Sequence, residues 1–361
     1  VELKELYLDL HLPSMDFRIG KQIVRWGVVE GARVTDEINP LDLNEFILRD
    51  VEDRYIPLWM LKSDFFLRGD YTLEAIWIPD LQFHEPACHE CEWEQFRFLQ
   101  GLEKPGSPLD NPTENIQNSE IALRLSRLFG GWDLSVSYFY TWDDFPAAFR
   151  SIGVIGFSAI PQVDPVQFQP RYERLQIPGF TLSKSLGKVV LSAEAAYVHG
   201  KVFGTQVGAF TIGSTGTVTD TPTQGEVQRD YIKYAVGLDT SLWRIDVSGQ
   251  ILQQYIPQYQ SNIIQDQLDT VLGLLVRRTL LGNSLTLQNL TLYFINDDET
   301  LIRQKVSYNI TDQMKLSFGV DQFIGTIADA DPNGALIPGQ FHFVGFFTNN
   351  DRVYTEVQYS F

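Results

Sequence analysis

Two cysteines close together are the first residues whose types and spacing could do chemistry. Cys88 and Cys91 are separated by two residues, one of them His89, and His84 lies just before them. A zinc site needs four converging ligands, which these residues supply only in a cramped arrangement. Haem attachment needs a histidine directly after the second cysteine, where Glu92 stands. Thiol exchange of the thioredoxin type needs a βαβ context that is absent. We therefore expect a short disulfide that braces a loop in an oxidising compartment.

A second candidate site is a calcium loop near the end of the chain. Asp329, Asp331 and Asn333 alternate as oxygen ligands do at the start of a calcium-binding loop. The twelfth position, which should carry a bidentate acid, is Gln340, and Pro332 interrupts the turn. A solvated turn is the competing interpretation. Apart from this calcium candidate we expect no cofactor.

Hydrolytic catalysis would need a nucleophile, a histidine and an acid in a recognisable arrangement. The histidines of the chain are His11, His84, His89, His199 and His342, and none lies at such a spacing. We therefore expect no enzyme, with a hydrolase as the least favoured alternative.

The composition excludes several classes of protein. The chain has 361 residues, with 28 lysines and arginines against 46 acids and a net charge of −18. Because phosphate neutralisation needs clustered cations, we expect no nucleic-acid partner. The longest apolar runs, such as residues 270–276, are far shorter than the roughly 18 residues of a membrane-spanning helix. Aromatic residues make up 13% of the chain, too many for a disordered protein.

Apolar and polar residues alternate along most of the chain. In the first segment, Leu6, Leu8, Leu10 and Leu12 share one face, and Tyr7, Asp9 and His11 share the other. A period of two indicates a β-strand and not a helix. The pattern recurs in about fifteen segments, so we predict an all-β fold.

The connections between these segments also alternate in length. Tight turns are predicted near Pro13, Gly69, Gly130, Gly187, Ser241, Asn283 and Asp312. Long connections are predicted at residues 28–57, 80–115, 143–169, 203–229 and 326–351. Short turns on one side and long loops on the other are typical of antiparallel up-and-down barrels of the outer membrane. We predict that residues 1–361 form one such transmembrane barrel.

The size of the predicted ring decides which face of the sheet contacts water. A soluble β-sandwich with an apolar interior is the alternative, but about fifteen strands enclose a lumen too wide for side chains to fill. We therefore predict that the apolar face meets lipid and the charged face lines a hydrated lumen. The predicted lumen-lining residues are Arg18, Lys62, Asp64, Glu74, Arg124, Glu194, Lys233, Asp239, Arg244, Asp246, Arg303, Lys305, Lys315, Asp321 and Glu356. Salt bridges that stiffen the wall and a charged permeation path both remain open as their role.

The first 80 residues carry a specific motif. A strand hairpin containing RIGKQ and WG precedes an INP-L-D loop, and the motif residues are Glu5, Tyr7, Asp9, Arg18, Gly20, Gln22, Trp26, Gly27, Asn39 and Pro40. The segment resembles an uncharacterised porin-like family of proteobacterial outer-membrane barrels, a domain-of-unknown-function family. The resemblance implies an outer-membrane barrel without an established substrate. It also implies further strands before residue 1, because members usually carry them.

Strand parity supports the same expectation. A single-chain bacterial barrel usually has an even number of strands with both ends periplasmic. The last segment, VYTEVQYSF, ends in a phenylalanine, as such barrels do. With a periplasmic C-terminus, we expect at least one missing leading strand and roughly 16–18 strands in the intact ring.

These patterns favour a porin-like channel in the outer membrane of a Gram-negative bacterium. Its expected partners are outer-membrane lipid, lipopolysaccharide and small solutes. Acidic residues are dense in the first two long connections, and an acidic mouth would favour cations. The alternative is a barrel that sheathes a guest protein, such as an electron-transfer cytochrome.

Overall fold

The computed structural model describes residues 3–88, 91–94, 111–151, 154–155, 162–163, 167–205, 211–212, 218–219, 226–326 and 343–360. The calcium candidates Asp329, Asp331 and Asn333 lie outside the described residues, as do His89 and His342.

Fifteen strands form one sheet in which neighbours in the sequence are neighbours in space. They are β1 (Leu6–Leu12), β2 (Met15–Gln22), β3 (Leu58–Leu67), β4 (Tyr71–Ile78), β5 (Glu120–Phe129), β6 (Trp132–Trp142), β7 (Arg174–Leu186), β8 (Val189–Val198), β9 (Tyr231–Leu242), β10 (Ile245–Tyr255), β11 (Leu268–Leu280), β12 (Leu285–Phe294), β13 (Glu299–Asn309), β14 (Met314–Ile324) and β15 (Arg352–Tyr359). Every pairing in this sheet is antiparallel. The predicted all-β fold and the count of about fifteen strands are confirmed.

Smaller elements lie in the connections. One short helix, α1, spans Val51–Arg54. The short ladders pair Asp42–Leu43 with Glu85–Pro86, Ala147–Ser151 with Gln167–Arg171, Val154–Ile155 with Gln162–Val163, Val202–Gly204 with Glu226–Gln228, and Thr211–Ile212 with Val218–Thr219. None of the helices in the described ranges is long and apolar enough to cross a bilayer.

The predicted alternation of connection lengths is present. Short turns join β1 to β2, β3 to β4, β5 to β6, β7 to β8, β9 to β10, β11 to β12 and β13 to β14. The connections at the opposite end are long, except for residues 295–298 between β12 and β13. Among the described residues no ladder joins β1 to β15.

The outer face of the sheet is apolar. Leu123, Val136 and Phe318 are 42%, 52% and 50% exposed, although each lies in the middle of a strand. Their neighbours along the strands, such as Arg124 and Ser135, point to the inner face. Such an outer surface is stable against hydrocarbon and not against water. Together with the strand order and the short turns, it makes the protein an outer-membrane β-barrel.

The inner face is less uniformly polar than the sequence predicts. Inward-facing Ile76, Ile78, Phe139 and Val198 are almost completely buried and belong to one apolar cluster. They lie near the strand ends that carry the long connections. The expectation of a wholly hydrated lumen is therefore wrong at this end, because the first long connection folds inward and covers these side chains.

The turn between β9 and β10 contains an unfavourable backbone conformation. Leu242 pairs with Ile245, which leaves Trp243 and Arg244 as a two-residue loop with φ values of 52° and 65°. This left-handed region suits glycine, which occupies both positions of the equivalent turn between β5 and β6. Arg244 was predicted to line the lumen, but it lies exposed in this turn, because the strand ends one residue before Trp243.

Arg244→Gly is expected to stabilise the barrel. The substitution removes the strain of a side chain in the left-handed region, which costs roughly 1 kcal/mol. The urea concentration at half-unfolding in lipid vesicles should rise accordingly. Gly131→Arg makes the opposite change in the equivalent turn and should lower it. Equal urea midpoints for Arg244→Gly and the native protein would show that the backbone of this turn is not strained.

Candidate functional site in the lumen

The first long connection lies inside the curved sheet. We call residues 23–57 the inner loop. It contacts inward-facing side chains of β4, β8, β9, β13 and β15, and of these five strands only β8 and β9 are neighbours in the sheet. The sheet therefore curls around the inner loop, and the loop narrows the lumen from within.

Glu194 of β8 is one anchor of the inner loop. Its Oε1 accepts hydrogen bonds from the backbone N–H groups of Val28 and Val29, at 2.7 and 2.6 Å. Its Oε2 accepts from the backbone and the hydroxyl of Thr35, at 3.2 and 2.8 Å. Glu194 is only 2% exposed. One wall carboxylate thus satisfies donors of the loop that would otherwise be buried without a partner.

A second anchor is formed by Trp26 and the wall of β4 and β5. The indole N–H of Trp26 donates to Glu74 at 2.5 Å, and Glu74 also pairs with Arg124 at 3.0 Å. The Arg124 guanidinium lies 5.2 Å from the centre of the Trp26 ring. The backbone N–H of Trp26 donates to Asp36, which joins this anchor to the next turn of the loop.

The opposite side of the inner loop is held by ion pairs with the wall. Glu37 pairs with Lys233 of β9 at 2.7 Å, Asp50 pairs with Lys305 of β13 at 2.9 Å, and Glu45 pairs with Arg352 of β15 at 2.9 Å. In addition, Arg303 donates to the carbonyl groups of Ile47 and Leu48. The acids of the first connection were expected at the mouth, but these three lie in the lumen and face cations.

Aromatic packing fixes the tip of the inner loop. The ring of Phe46 lies 4.6 Å from that of Phe343 and 4.7 Å from that of Phe347. Trp93 and Phe323 complete the cluster. The second and the last long connections thus meet the inner loop here.

Asn39 holds the two ends of the inner loop together. Its Oδ1 accepts from the backbone N–H of Val24 at 2.8 Å, and its Nδ2 donates to the carbonyl of Ile56 at 2.9 Å. Trp26, Gly27 and Asn39 belong to the sequence motif noted above. The motif therefore encodes the shape and attachment of the inner loop.

Most of the predicted lumen-lining residues lie on the inner face in ion pairs or hydrogen bonds. Beyond the anchors, the pairs are Arg18 with Asp9, Lys62 with Asp64, Arg303 and Arg352 with Asp321, Lys305 with Glu356, and Arg277 with Asp246. For Asp239 and Lys315, the described part of the chain shows no ion pair. Whether this face carries a permeation path remains a prediction.

Several residues of the site were not singled out as lumen-lining from the sequence. Arg33, Glu37, Arg54 and Lys201 lie in long connections, where no alternation indicates which way a side chain points. The motif was the available signal, since it extends into the loop that carries three of them.

The cysteines lie beside this site. Cys88 and Cys91 form a disulfide. Just before them, Glu85–Pro86 pairs in parallel with Asp42–Leu43 of the inner loop. Just after them, Trp93 enters the aromatic cluster at the tip. The disulfide therefore closes a turn between two contacts with the inner loop.

The described histidines do not form one site. His11 pairs with Asp16 at a short turn, and His199 pairs with Asp230 at the opposite end of the barrel. His84 is buried, and its Nδ1 accepts a hydrogen bond from the backbone N–H of Leu41. Burial, reinforced by Arg33 and Lys233, lowers the pKa of His84 well below its ordinary value, so the ring is neutral.

The Glu37–Lys233 pair makes the inner loop sensitive to acid. Burial raises the pKa of Glu37, but the charges of Lys233 and Arg33 outweigh burial and bring the pKa below its ordinary value. A lowered folded-state pKa means that Glu37 contributes stability above the ordinary glutamate pKa. That contribution is lost as the pH falls through the folded-state pKa.

Hydrogen exchange should reveal this acid step. We expect the amides of residues 33–38, corrected for intrinsic rates, to keep constant protection near neutrality and to lose it below the ordinary glutamate range. Glu37→Gln should have lower protection at neutral pH and no acid step, because it leaves Lys233 buried without a counter-charge. An acid step of the same size in Glu37→Gln would show that another carboxylate causes the loss of protection.

The described residues enclose at least two sizeable cavities beside the inner loop. The larger, about 670 Å³, lies between the loop and β7, β9, β10 and β11, and includes His84, Asp143 and Asp144 on its wall. The smaller, about 640 Å³, lies between the loop and β15, with Lys305, Arg352 and Glu356 on its wall. Both have sizes typical of small-molecule sites.

Comparison with known proteins gives a family but no function. Pseudomonas aeruginosa OccK5 (OpdH) has 11% identity and a TM-score of 0.43, with 89% of this chain and 76% of that chain covered. P. aeruginosa OccK8 (OprE) gives the same values. Outer membrane phospholipase A from Escherichia coli has 14% identity and a TM-score of 0.26, with 67% of this chain and 84% of that chain covered. At these TM-scores the likenesses carry no conclusion about function.

No curated protein sequence matches the chain. One family model does, over residues 1–315, and its description is "Protein of unknown function (DUF1302)". The match includes the motif, the inner loop and the wall from β1 to β13. The chain therefore belongs to the DUF1302 family, a family of unknown function whose member here is a porin-like outer-membrane barrel.

Proposed function

We propose that the protein is a channel through which small solutes diffuse across the outer membrane, with the inner loop as the constriction. The observation that carries the proposal is the attachment of the inner loop to charged residues of β4, β8, β9, β13 and β15. A loop held from so many sides narrows the lumen at a defined level and leaves polar space beside it. Constrictions of this kind select solutes by size and charge.

A planar-bilayer recording tests the proposal. The purified protein should insert in discrete conductance steps and should release small sugars from loaded vesicles more slowly as their size increases. Inserted protein that conducts no ions and releases no sugar would contradict it.

We also propose a modest preference for cations. The chain has a net charge of −18, but several acids of the inner loop are neutralised by Lys233, Lys305 and Arg352. The remaining acidic surface lowers the potential at the mouth and attracts cations. A reversal potential in a KCl gradient measures this preference, and a potential of the opposite sign would contradict it.

We favour the channel over the alternative of a sheath for a guest protein, because the inner loop packs inside the sheet against the wall. We therefore propose the channel alone.

A further inference from the structure

The larger cavity beside the inner loop contains a guanidinium without a partner. Arg54, the last residue of α1, lies on the cavity wall. Its Nε is shielded from solvent and has no hydrogen-bond partner. Across the described ranges, no carboxylate forms an ion pair with Arg54. Burial, reinforced by Arg303 and Arg33, lowers the pKa of Arg54 to about 10, which leaves it charged at neutral pH.

A second guanidinium on the same cavity has a free group. Arg33 donates from Nε to the carbonyl of Asp36 and from Nη2 to the carbonyl of Asn39, both at 2.9 Å. Its Nη1 is buried and has no hydrogen-bond partner. Its Nη2 also lies 3.7 Å from a carboxylate oxygen of Glu37. Arg33 is therefore fixed in position by two hydrogen bonds and an ion pair, while its Nη1 has no hydrogen-bond partner.

The other cations of the cavity are already neutralised. Lys201 pairs with Asp143 at 2.6 Å, and Lys233 pairs with Glu37 at 2.7 Å. The Arg25 guanidinium lies 3.4 Å from Glu52. Glu37 also lies 3.7 Å from Nη2 of Arg33, so Lys233 and Arg33 share one carboxylate. Among the described cations of the cavity, Arg54 is therefore the one without an ion pair. A partly buried guanidinium without a counter-charge is costly, and a bound anion would remove that cost.

The apolar side chains of the cavity wall indicate which kind of group the anion carries. Leu175, Ile177, Phe145 and Val271 line it, and so does Phe343. An inorganic anion would gain nothing from these side chains, whereas an apolar group attached to the anion would be removed from water. The planar fork of an arginine matches a carboxylate in two parallel hydrogen bonds.

Two ionisable groups nearby do not oppose an anion. Asp144 lies 3.5 Å from His84, and both line the cavity. Burial raises the pKa of Asp144 well above its ordinary value, although Arg33 acts in the opposite direction. His84 is neutral as described above. The cavity therefore has fewer negative charges than its acidic residues suggest.

We propose that this cavity binds a carboxylate with an apolar body, held by Arg54 and Arg33. The inference rests on the proposed function, because it names the class of solute that the channel would retain on its way through the lumen. It assigns to the inner loop a role in recognition in addition to its role as a constriction.

Calorimetric titration of the purified protein with hexanoate tests the site. Hexanoate should bind, while hexanamide, which has the same body without the charge, should bind at least about tenfold more weakly. Acetate, which has the charge without the body, should also bind more weakly. Equal binding of hexanamide or of acetate would overturn the proposal, as would no binding of hexanoate.

Two variants connect the binding to Arg54. Arg54→Met should weaken hexanoate binding at least about tenfold, because it removes the charge and keeps an apolar side chain. Arg25→Met is the matched control, since Arg25 lines the same cavity but already has Glu52 as a partner. It should bind hexanoate as the native protein does. If both variants bind hexanoate as tightly as the native protein, Arg54 does not hold the carboxylate.

Thermal unfolding distinguishes lost binding from lost structure. Without ligand, Arg54→Met should unfold at the same or a higher temperature than the native protein, because an unpaired buried charge is gone. Hexanoate should raise the unfolding temperature of the native protein and not that of Arg54→Met. A stabilisation by hexanoate that persists in Arg54→Met would overturn the proposal. Conductance without hexanoate binding would contradict this inference alone, and hexanoate binding without conductance would contradict the channel.

Discussion

Replacing the inner loop by a two-residue turn is expected to increase the conductance of the protein several-fold. Gln22 at the end of β2 pairs directly with Leu58 at the start of β3. An Asn-Gly turn can therefore join the two strands in place of residues 23–57 without changing their register. The replacement removes the segment that contacts five separate strands of the wall, so the lumen widens. Single-channel recordings and the largest sugar released from vesicles measure the effect.

A reversible crosslink serves as the control for this replacement. Gly237 of β9 lies against Val29 of the inner loop, and a Cβ at Gly237 would lie 3.9 Å from that of Val29. This separation suits a disulfide, for which the two Cβ atoms are about 3.5–4.5 Å apart. Val29→Cys combined with Gly237→Cys should tie the loop to the wall when oxidised.

The crosslinked variant should conduct as the native protein does in both redox states, since the loop already lies against β9. The native protein with and without reductant controls for the Cys88–Cys91 disulfide. A conductance that is unchanged by the replacement would show that the inner loop is not the constriction. A conductance that falls on crosslinking would show that the loop must move away from β9 during permeation.

Removing the Glu194 carboxylate is expected to release the first half of the inner loop. Glu194→Ala leaves the N–H groups of Val28, Val29 and Thr35 without their acceptor. An unsatisfied buried donor costs about 1–3 kcal/mol, so the amides of residues 28–35 should exchange roughly 10- to 100-fold faster. Hydrogen exchange followed by mass spectrometry measures the change. The conductance should also become noisier as the segment moves.

Glu194→Gln separates the contributions of the two carboxylate oxygens of Glu194. The remaining carbonyl oxygen can still accept from Val28 and Val29, but the amide nitrogen cannot accept from Thr35. Its effect should therefore be intermediate. Asp239→Asn is the matched control, because Asp239 is an inward-facing carboxylate of the neighbouring strand without a hydrogen bond to the inner loop. If Glu194→Ala exchanges no faster than Asp239→Asn, then Glu194 does not anchor the loop.

The sequence by itself determined the strands and their two faces. Alternation of period two is a local property, since each strand carries its own pattern of apolar and polar residues. The short turns at Gly69 and Gly130 could be located for the same reason, because the residues that favour a turn lie within it. The predicted identities of most inward-facing charges follow from this alternation.

Only the tertiary structure decided where the first long connection goes. Glu194 and Val28 are 166 residues apart in the sequence, and nothing in the local sequence of either one predicts their contact. The loop has no period that would show which side chains point to the wall. Its acids therefore suggested an exposed mouth, whereas Glu37 and Asp50 face lysines in the lumen. The apolar residues Ile76 and Phe139 point inward because the loop covers them, and that cover exists only once the sheet has curled around it.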